Sequence, residues 1–411
     1  MIPKIFTLSI ITILFQISII CPSILNAQWE SCNNGLTCDS VWCINANKNN
    51  VYAGTEGSGI YLSTNNGDNW IAKNQGLNNL WIRAIAITEN NVIFAGTEGG
   101  GINISIDNGN NWTTKNQGLK NLNIWSLAIK GNYIFAGTED GGLYLSSDNG
   151  NSWVEKNKGI QTNLYIMSIT INENNIFIGT WVNNHGNNGQ GVYLSTNDGD
   201  SWNEKNTMLR DSSNRPFSVW AIALNENNIF AGTENGGIFL STDNGDNWTA
   251  KNQGLKYLNV WSLALIGKNI FAGTMGGGIF LSDDNGESWL IKNTGMPMVL
   301  RMKFAIRGDT IYAGTLVSGV FRAKLSDFGI SAVKEKNQNI ENIIYPNPAS
   351  DFININSANI IGKEISIYDM LGNKLITATA ESPETRINIE SLPIGVYFIK
   401  MGGMTKMFVK E

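Results

Sequence analysis

The fold is decided by the stretch WSLAIKGNYIFAGTEDGGLYLSSDNGNSW, residues 125–153, because its pattern recurs along most of the chain. It holds three short apolar runs separated by Gly- and Asn-rich turns, and a fourth run opens at Trp153. Its A-G-T, once replaced by I-G-T, occurs seven times at spacings of 41, 42 or, once, 53 residues. The glycines of these copies are Gly54, Gly96, Gly137, Gly179, Gly232, Gly273 and Gly314. Short strands at this spacing predict an all-β fold, a seven-bladed β-propeller.

The seventh unit is incomplete at its C-terminal end. It supplies strands at 302–306, 310–315 and 319–324, and no Trp-containing fourth strand follows. Residues 29–36, WESCNNGL, match WTAKNQGL at 248–255 within the repeats. We therefore expect the N-terminal strand to complete the last blade, which closes the ring and protects both sheet edges at the seam.

The sequence outside the repeats predicts three further segments. Residues 1–27 combine Lys4, an apolar stretch and the small residue Ala27, a pattern typical of a removable signal peptide. A retained membrane anchor is the alternative for this segment. The predicted boundaries are 28–325 for the propeller, 326–342 for a linker and 343–411 for a small C-terminal Ig-like β-sandwich.

Composition excludes several classes of partner. The net charge is −5 at pH 7, and no run of Lys or Arg occurs, so nucleic acid is not expected to bind. No segment after the leader is apolar enough to span a bilayer, so an integral membrane protein is not predicted. The 44 glycines beside only 8 prolines indicate a turn-rich folded chain.

A second repeated motif connects the third and fourth strands of six units. It reads close to S-x-D-x-G-x-x-W, with Asn at the third position in two copies. The predicted structural residues are Asp107, Asp148, Asp243, Asp284, Trp70, Trp112, Trp153, Trp202, Trp248 and Trp289. We expect each Asp or Asn to accept backbone N–H groups two residues on, Gly to adopt positive φ, and Trp to cover the hairpin. Each turn offers one carboxylate where calcium needs about six to eight oxygens, so neither metal nor cofactor is predicted.

These residues resemble the Asp-box of BNR or sialidase-like propellers and of the photosystem II assembly-factor-like group, over residues 28–325. The resemblance implies that the boxes are structural and lie away from the functional face. The arginine cluster, nucleophilic tyrosine and F-R-I-P segment of sialidases are not apparent here. Xyloglucanase-type relatives have two propellers, whereas this chain has one.

Candidate ligand-binding residues lie on the face opposite the boxes. This face carries the loops between the second and third strands and those leading into the next blade, including two insertions at 181–191 and 206–218. The candidates are Glu56, Glu98, Glu139, Glu234, Trp181, His185, Arg210 and Arg215. Trp and carboxylates suit a carbohydrate, by stacking and by accepting hydroxyl protons. Packing between blades and solvated turns are the alternatives.

The same loops lead into the first strand of every blade. The residues expected at the start of these innermost strands are Trp42, Arg83, Trp125, Met167, Trp220, Trp261 and Met302. Cys43 falls in a small buried position that holds Ser126 and Ser262 in other repeats, which favours core packing. A disulfide between Cys32 and Cys38 is expected to fix the seam in an oxidising compartment.

The last 69 residues carry a different set of motifs: YPNP at 345–348, YDMLG at 368–372, LPIGVY at 392–397 and the terminal KMFVKE. They resemble the C-terminal sorting domain of the type IX secretion system of Bacteroidota. The resemblance implies the type IX machinery as a partner and a mature protein that is extracellular or attached to the outer-membrane surface. An accessory β-sandwich that binds a ligand itself is the alternative.

Together these features favour a secreted or cell-surface, non-catalytic β-propeller that binds a polysaccharide or a protein. The alternative is a secreted glycoside hydrolase of sialidase-like or xyloglucanase-like type that uses Glu or Asp residues on the same face. Carboxylates repeated around a ring define no particular acid–base pair, so the sequence assigns no catalytic residue.

Overall fold

The structure is a computed structural model that describes residues 28–161, 164–182, 190–225, 228–297, 300–331, 343–345, 348–356, 361–369, 372–382, 384–401 and 404–411. The predicted signal peptide and the part of the predicted linker after residue 331 lie outside these ranges. Within them, no helix has the length and apolar character needed to cross a bilayer. The chain divides into two compact units between Ile330 and Ser331, which are described separately.

The described part of the first unit contains seven four-stranded antiparallel sheets. After β1 (Glu30–Ser31), six sheets follow, each built from four consecutive strands. They are β2 (Val41–Ala46), β3 (Val51–Thr55), β4 (Ile60–Ser63) and β5 (Ile71–Ala72); β6 (Ile82–Ile87), β7 (Ile93–Thr97), β8 (Gly101–Ser105) and β9 (Thr113–Thr114); β10 (Ile124–Lys130), β11 (Tyr133–Thr138), β12 (Leu143–Ser146) and β13 (Val154–Glu155); β14 (Tyr165–Asn172), β15 (Asn175–Trp181), β16 (Val192–Ser195) and β17 (Asn203–Glu204); β18 (Val219–Asn225), β19 (Asn228–Thr233), β20 (Ile238–Ser241) and β21 (Thr249–Ala250); β22 (Val260–Ile266), β23 (Asn269–Thr274), β24 (Gly278–Ser282) and β25 (Leu290–Ile291).

The remaining sheet joins the two ends of the unit. It consists of β26 (Met302–Arg307), β27 (Thr310–Thr315), β28 (Gly319–Lys324) and β1, and a 3-10 helix at Leu325–Phe328 follows it. Glu30 of β1 pairs with Arg322 of β28, so the N-terminal strand is the fourth strand of the last sheet, as expected. The Trp29 indole reinforces the seam by donating to the Lys292 carbonyl at 2.9 Å.

The first strands of successive sheets contact one another in a closed circle, from β2 through β26 and back to β2. They therefore surround the centre of the ring, and each two-residue fourth strand lies at the periphery. This arrangement confirms the prediction of an all-β fold built as a β-propeller. Because the strands are antiparallel, the S-x-D-x-G-x-x-W turns lie on one face, here called the turn face. The loops between second and third strands and those entering the next sheet lie on the other, the loop face.

The glycine of the A-G-T repeat is required by the contact between sheets. A Cβ placed on Gly54 would lie 2.6 Å from Cγ2 of Ile82, the first residue of the next sheet. At Gly96 the corresponding distance to Ile124 is 2.5 Å. Both are far shorter than van der Waals contact, so neighbouring sheets approach this closely only where no side chain intervenes. The repeat in the sequence thus reports packing between blades.

The repeated turn is a hydrogen-bonded unit. In the second sheet the backbone N–H of Gly109 donates to Ser105 Oγ at 2.8 Å, and that of Asn111 donates to Asp107 Oδ1 at 2.9 Å. The N–H bound by the carboxylate is therefore four residues on, and the expected offset of two was wrong. Gly109 has positive φ, as expected, and so does Asn108 before it, at 59°.

The tryptophan of each turn joins neighbouring sheets. The Trp112 indole donates to the carbonyl of Lys73 in the preceding sheet at 2.8 Å, while its ring is buried. The same bond to a preceding sheet is made by Trp29, Trp70, Trp112, Trp153, Trp202, Trp248 and Trp289. Trp29 belongs to this set because it occupies the equivalent position in the closing sheet.

The predicted Cys32–Cys38 disulfide is wrong, since Cys32, Cys38 and Cys43 are free thiols. Cys32 is buried on the turn side, where its Sγ would lie 3.2 Å from a Cβ on Gly67. The Cys38 thiol instead contacts the Glu56 carbonyl, at 3.6 Å, on the loop face. The Cys32 thiol also donates to the Val320 carbonyl at 3.5 Å, so the two sulfurs have different neighbours. Burial raises the pKa of the Cys32 thiol to about 12, which suppresses its thiolate chemistry.

The second unit contains two sheets in its described residues. Its strands are β29 (Ile343–Tyr345), β30 (Phe352–Asn356), β31 (Glu364–Tyr368), β32 (Lys374–Thr379), β33 (Glu384–Asn388), β34 (Gly395–Met401) and β35 (Met404–Lys410). One sheet has the order β29-β30-β33 and the other β32-β31-β34-β35. Both sheets contribute to one buried core that includes Ile353, Ile367 and Phe408, which is the organisation of a β-sandwich.

Candidate functional site

A β-bulge directs side chains toward the centre of the loop face. In the first sheet Val41 pairs with Thr55 and Cys43 with Gly54, so Trp42 between them has no partner. A bulge of this kind turns the extra residue away from the regular alternation of the strand. The residues at this position in six sheets are Trp42, Arg83, Trp125, Met167, Trp220 and Trp261.

The seventh sheet lacks the bulge, so Met302 begins its innermost strand as expected but is not the equivalent of Trp42. Met302 pairs with Thr315 and Lys303 with Gly314 without interruption. Met302 is buried and would lie 2.5 Å from a Cβ on Gly273, so it packs between blades and does not reach the centre as Trp42 does. Lys303 consequently occupies the position that Cys43 and other small residues take elsewhere.

The bulged tryptophans form one connected group, the central aromatic cluster. It contains Tyr165, Met167, Trp220 and Trp261, with Trp42, Trp125, Trp181 and Met275 packed against them. Ring centroids are 5.8 Å apart for Trp42 and Trp125, and 4.9 Å apart for Trp220 and Trp261. Trp181, a predicted ligand residue, lies 4.7 Å from the Tyr165 ring. Much of the central aromatic cluster is therefore held by contacts among its own side chains, as the alternative of packing between blades states.

Three cations lie among these rings. The Arg83 guanidinium carbon is 3.6 Å from the centroid of Trp42, and that of Arg301 is 4.3 Å from Trp261 and 5.8 Å from Trp42. Lys303 Nζ is 5.6 Å from the Trp261 centroid and donates to its carbonyl at 3.5 Å. Burial lowers the pKa of Lys303 to about 8, while burial and then the charge of Arg83 lower that of Arg301.

The predicted carboxylates surround this centre, but each has its own partners. Glu98 forms an ion pair with Arg83, whose Nε donates to Oε2 at 2.8 Å. Glu139 accepts from the Tyr165 hydroxyl at 2.6 Å and from the Trp125 indole at 3.3 Å.

The other two predicted carboxylates act on Arg301 from outside ion-pair distance. Glu56 accepts a hydrogen bond from Ser40 Oγ at 2.6 Å. Glu234 is fixed through its backbone N–H, which donates to the Ser218 carbonyl at 2.9 Å. Both carboxylates partly offset the lowering of the Arg301 pKa that burial and Arg83 cause. No ion pair of Arg301 is present among the described residues.

Several buried donors of this centre have no acceptor in the described part of the chain. They are Trp42 Nε1, Trp220 Nε1 and Arg83 Nη1. The Trp220 residue is only 3% exposed, and the Arg83 side chain only 7%. Leaving such a donor unsatisfied costs about 1–3 kcal/mol, so an acceptor-bearing group is favoured here.

A cavity of about 590 Å³ lies on the loop face beside the second insertion. It brings together Arg210, Arg215 and Glu234, three of the predicted ligand residues, with Phe217 and Phe239 also in its wall. Arg210 donates to Glu204 at 2.9 Å, and Arg215 Nε donates to Asp211 at 3.0 Å, so both guanidinium groups are already paired. His185 lies outside the described residues.

The turn face carries a separate groove of about 970 Å³ between the second and third sheets. Ile106 is 83% exposed at its edge, at a turn position that holds Thr or Ser in most copies. Asp107 also lines the groove, but its carboxylate is committed to the turn.

Sequence reasoning missed Arg301 and Lys303, and it treated Arg83 only as the start of a strand. The signal was nevertheless present in the repeat itself. Arg83 replaces a Trp or Met, and Lys303 replaces a small residue, at otherwise regular positions of the innermost strands. A charged residue at such a position departs from the packing pattern of the innermost strands, which makes it a candidate for function.

Comparison with known proteins identifies the second unit. Residues 343–411 match the family described as the secretion system C-terminal sorting domain. The chain therefore carries a type IX secretion sorting domain. This domain directs the protein to the cell surface or the extracellular space, since sorting domains of this family serve export. No curated protein sequence matches the chain significantly.

Solved structures resemble the chain in fold. PorZ of Porphyromonas gingivalis, a surface component of the type IX secretion system, has a TM-score of 0.54 at 14% identity, over 93% of this chain and 61% of PorZ. YCF48 from Cyanidioschyzon merolae has a TM-score of 0.55 at 16% identity, over 72% of this chain and 98% of YCF48. An ancestral GH74 enzyme has a TM-score of 0.58 at 17% identity, over 93% of this chain and 63% of the enzyme. At these identities the likeness concerns the propeller fold alone.

Proposed function

We propose that the propeller is a non-catalytic, exported binding module whose loop face holds a polysaccharide or protein ligand. The observation that carries the proposal is the set of buried donors at the central aromatic cluster, on Trp42, Trp220 and Arg83. Folded proteins satisfy nearly all buried polar groups, so donors at the centre of the loop face that have no partner among the described residues are suited to an acceptor from outside the chain.

The distribution of exposed apolar side chains supports the same face. Leu80, Trp81, Tyr257 and Leu258 are exposed at the ends of the loops that enter the innermost strands. Trp81, at 42% exposed, lies 5.7 Å from the Arg83 guanidinium carbon. An exposed aromatic ring next to a polar centre suits a ligand with an apolar side and polar edges.

The carboxylates favour binding over glycoside hydrolysis. A hydrolase of this kind needs one carboxyl group that donates a proton to the leaving group and a second that remains free to act as base or nucleophile. Glu98 and Glu139 instead accept hydrogen bonds or ion pairs from their own sheets, on Arg83, Tyr165 and Trp125. These contacts position the aromatic cluster and leave no free acid–base pair among these two.

The purified protein should be applied to a glycan array and to immobilised polysaccharides, with product release measured in parallel. Trp81→Ala is expected to weaken binding, and no sugar product is expected. Tyr133→Ala is the matched control, because Tyr133 is 37% exposed at the start of β11 on the turn face. Product release would replace the proposal with the hydrolase alternative. Loss of binding in Tyr133→Ala but not in Trp81→Ala would place the site on the turn face and contradict the proposal.

A further inference from the structure

The centre of the loop face holds two guanidinium groups beside the same indole. Arg83 and Arg301 lie 3.6 and 5.8 Å from the centroid of Trp42. Burial, and then the positive charge of Arg83, lower the pKa of Arg301. An anion bound beside Arg301 would favour its charged form.

The described protein groups compensate these charges only in part. Glu98 neutralises Arg83 through Nε and Nη2, whereas Nη1 of the same group is buried without an acceptor among the described residues. Arg301 makes no ion pair within the described ranges, and Glu56 and Glu234 influence it only from a longer distance. A carboxylate has two oxygens and about four acceptor positions, which matches a forked guanidinium and a neighbouring indole N–H.

Deepening the proposed function, on which this inference rests, we propose that the ligand is an acidic polysaccharide whose sugar carboxylate binds Arg301 beside Trp42 and Trp261. A simple anion fits less well, because Glu56 and Glu234 would repel a ligand that offers only negative charge. A uronic acid adds hydroxyl groups that donate to such carboxylates. Its ring also has an apolar face, for which the exposed Trp81 ring provides a stacking surface.

The test uses the purified protein with polygalacturonic acid and with the same polymer fully methyl-esterified, in which each carboxylate is replaced by a neutral ester. The acidic polymer is expected to bind at least about tenfold more tightly, since charge-assisted hydrogen bonds contribute on that scale. Arg301→Gln is expected to remove this preference, and Arg301→Lys to restore part of it, because Lys keeps the charge but loses the planar fork.

Arg307→Gln is the matched control. Arg307 ends the same strand, β26, on the turn face, where its Nε donates to the Lys48 carbonyl at 2.9 Å. The variant removes one positive charge from the molecule without touching the centre of the loop face. Its binding of polygalacturonate is expected to equal that of the unmodified protein. Thermal unfolding of Arg301→Gln, Arg301→Lys and Arg307→Gln checks that each variant is folded.

Three outcomes would overturn the inference, and each is distinct from failure of the proposed function. Equal binding of both polymers, or unchanged binding by folded Arg301→Gln, would show that no carboxylate is recognised by Arg301. Binding of poly-glutamate with the same dependence on Arg301, without binding of polygalacturonate, would indicate an acidic protein ligand. Binding of neither probe would also overturn the inference. Loss of glycan or protein binding in Trp81→Ala would still support the loop face in all three cases.

Discussion

The two faces of the propeller differ in whether their buried polar groups have hydrogen-bond partners. On the turn face, Ser105, Asp107 and Trp112 each have a hydrogen-bond partner, and the same bonds recur around the ring. At the centre of the loop face, buried donors of Trp42 and Trp220 have no partner in the described part of the chain. The turn-face bonds follow the repeat and join neighbouring blades, whereas Trp42 and Trp220 share a repeated position without such a bond. The difference agrees with the proposal that the loop face binds a ligand.

The largest effect is expected at the seam, where the ring of indole bonds closes. Trp29→Ala should lower the free energy of unfolding by about 3–5 kcal/mol, because it removes a buried aromatic ring and its bond to Lys292. Denaturant unfolding measures the loss. Trp289→Ala removes the equivalent bond, to Lys251, within the ring. A clearly smaller loss at the seam than at Trp289 would show that closure by β1 is not needed for stability.

A smaller loss is expected where a blade approaches its neighbour. Gly96→Ala places a methyl group 2.5 Å from Ile124 and should cost about 1–3 kcal/mol of unfolding free energy. The double variant with Ile124→Ala removes Cγ2 but leaves Cβ 2.9 Å away, so it relieves part of the clash and its cost should be less than the sum of the two single costs. Strict additivity, measured by denaturant titration, would contradict the packing explanation of the repeat.

The comparison of the faces is tested most directly by matched indole substitutions. Trp112→Phe loses a made hydrogen bond and leaves the Lys73 carbonyl without its donor, which should cost about 1 kcal/mol beyond the loss of ring volume. Trp220→Phe removes an N–H that has no partner among the described residues, so it should cost less. Equal costs in thermal unfolding would show that both indoles are equally satisfied in solution.

Acid should weaken the turn face step by step. Hydrogen bonds from the Asn111 side chain and backbone lower the pKa of Asp107 to about 2, and bonds from Ser152 and Asn247 do the same for Asp148 and Asp243. A lowered folded-state pKa stabilises the protein above the ordinary value and loses that effect as the pH falls. The loss should therefore occur between about pH 4 and pH 2. Asp107→Asn should flatten this part of the unfolding profile, and an unchanged profile would contradict it.

The smallest effect on stability is expected from a reducing agent. Because Cys32 and Cys38 are free, a reducing agent should leave the thermal unfolding temperature unchanged. Thiol titration of denatured residues 28–411 should detect Cys32, Cys38 and Cys43. A drop in unfolding temperature on reduction would restore the disulfide that the sequence suggested.

The fold could be predicted because its causes are local and repeated. The A-G-T glycines lie where neighbouring blades touch, and Trp29 precedes the strand that closes the ring. The spacing of the repeat and its similarity to residues 29–36 were therefore enough to predict the propeller. The centre of the loop face could not be predicted in the same way. A shift of one residue in pairing separates Trp42, which reaches the centre, from Met302, which does not, and both look alike in sequence. Cys32 and Cys38 are close along the chain, yet the strand directions set them apart.

Closure by β1 also sets an order of events during synthesis. Glu30 leaves the ribosome first, but its partner Arg322 is 292 residues further along the chain. At roughly 5–20 residues per second, the first strand waits about 15–60 s for its partner. During that interval the last sheet lacks its partner strands for β1, so the ring cannot close.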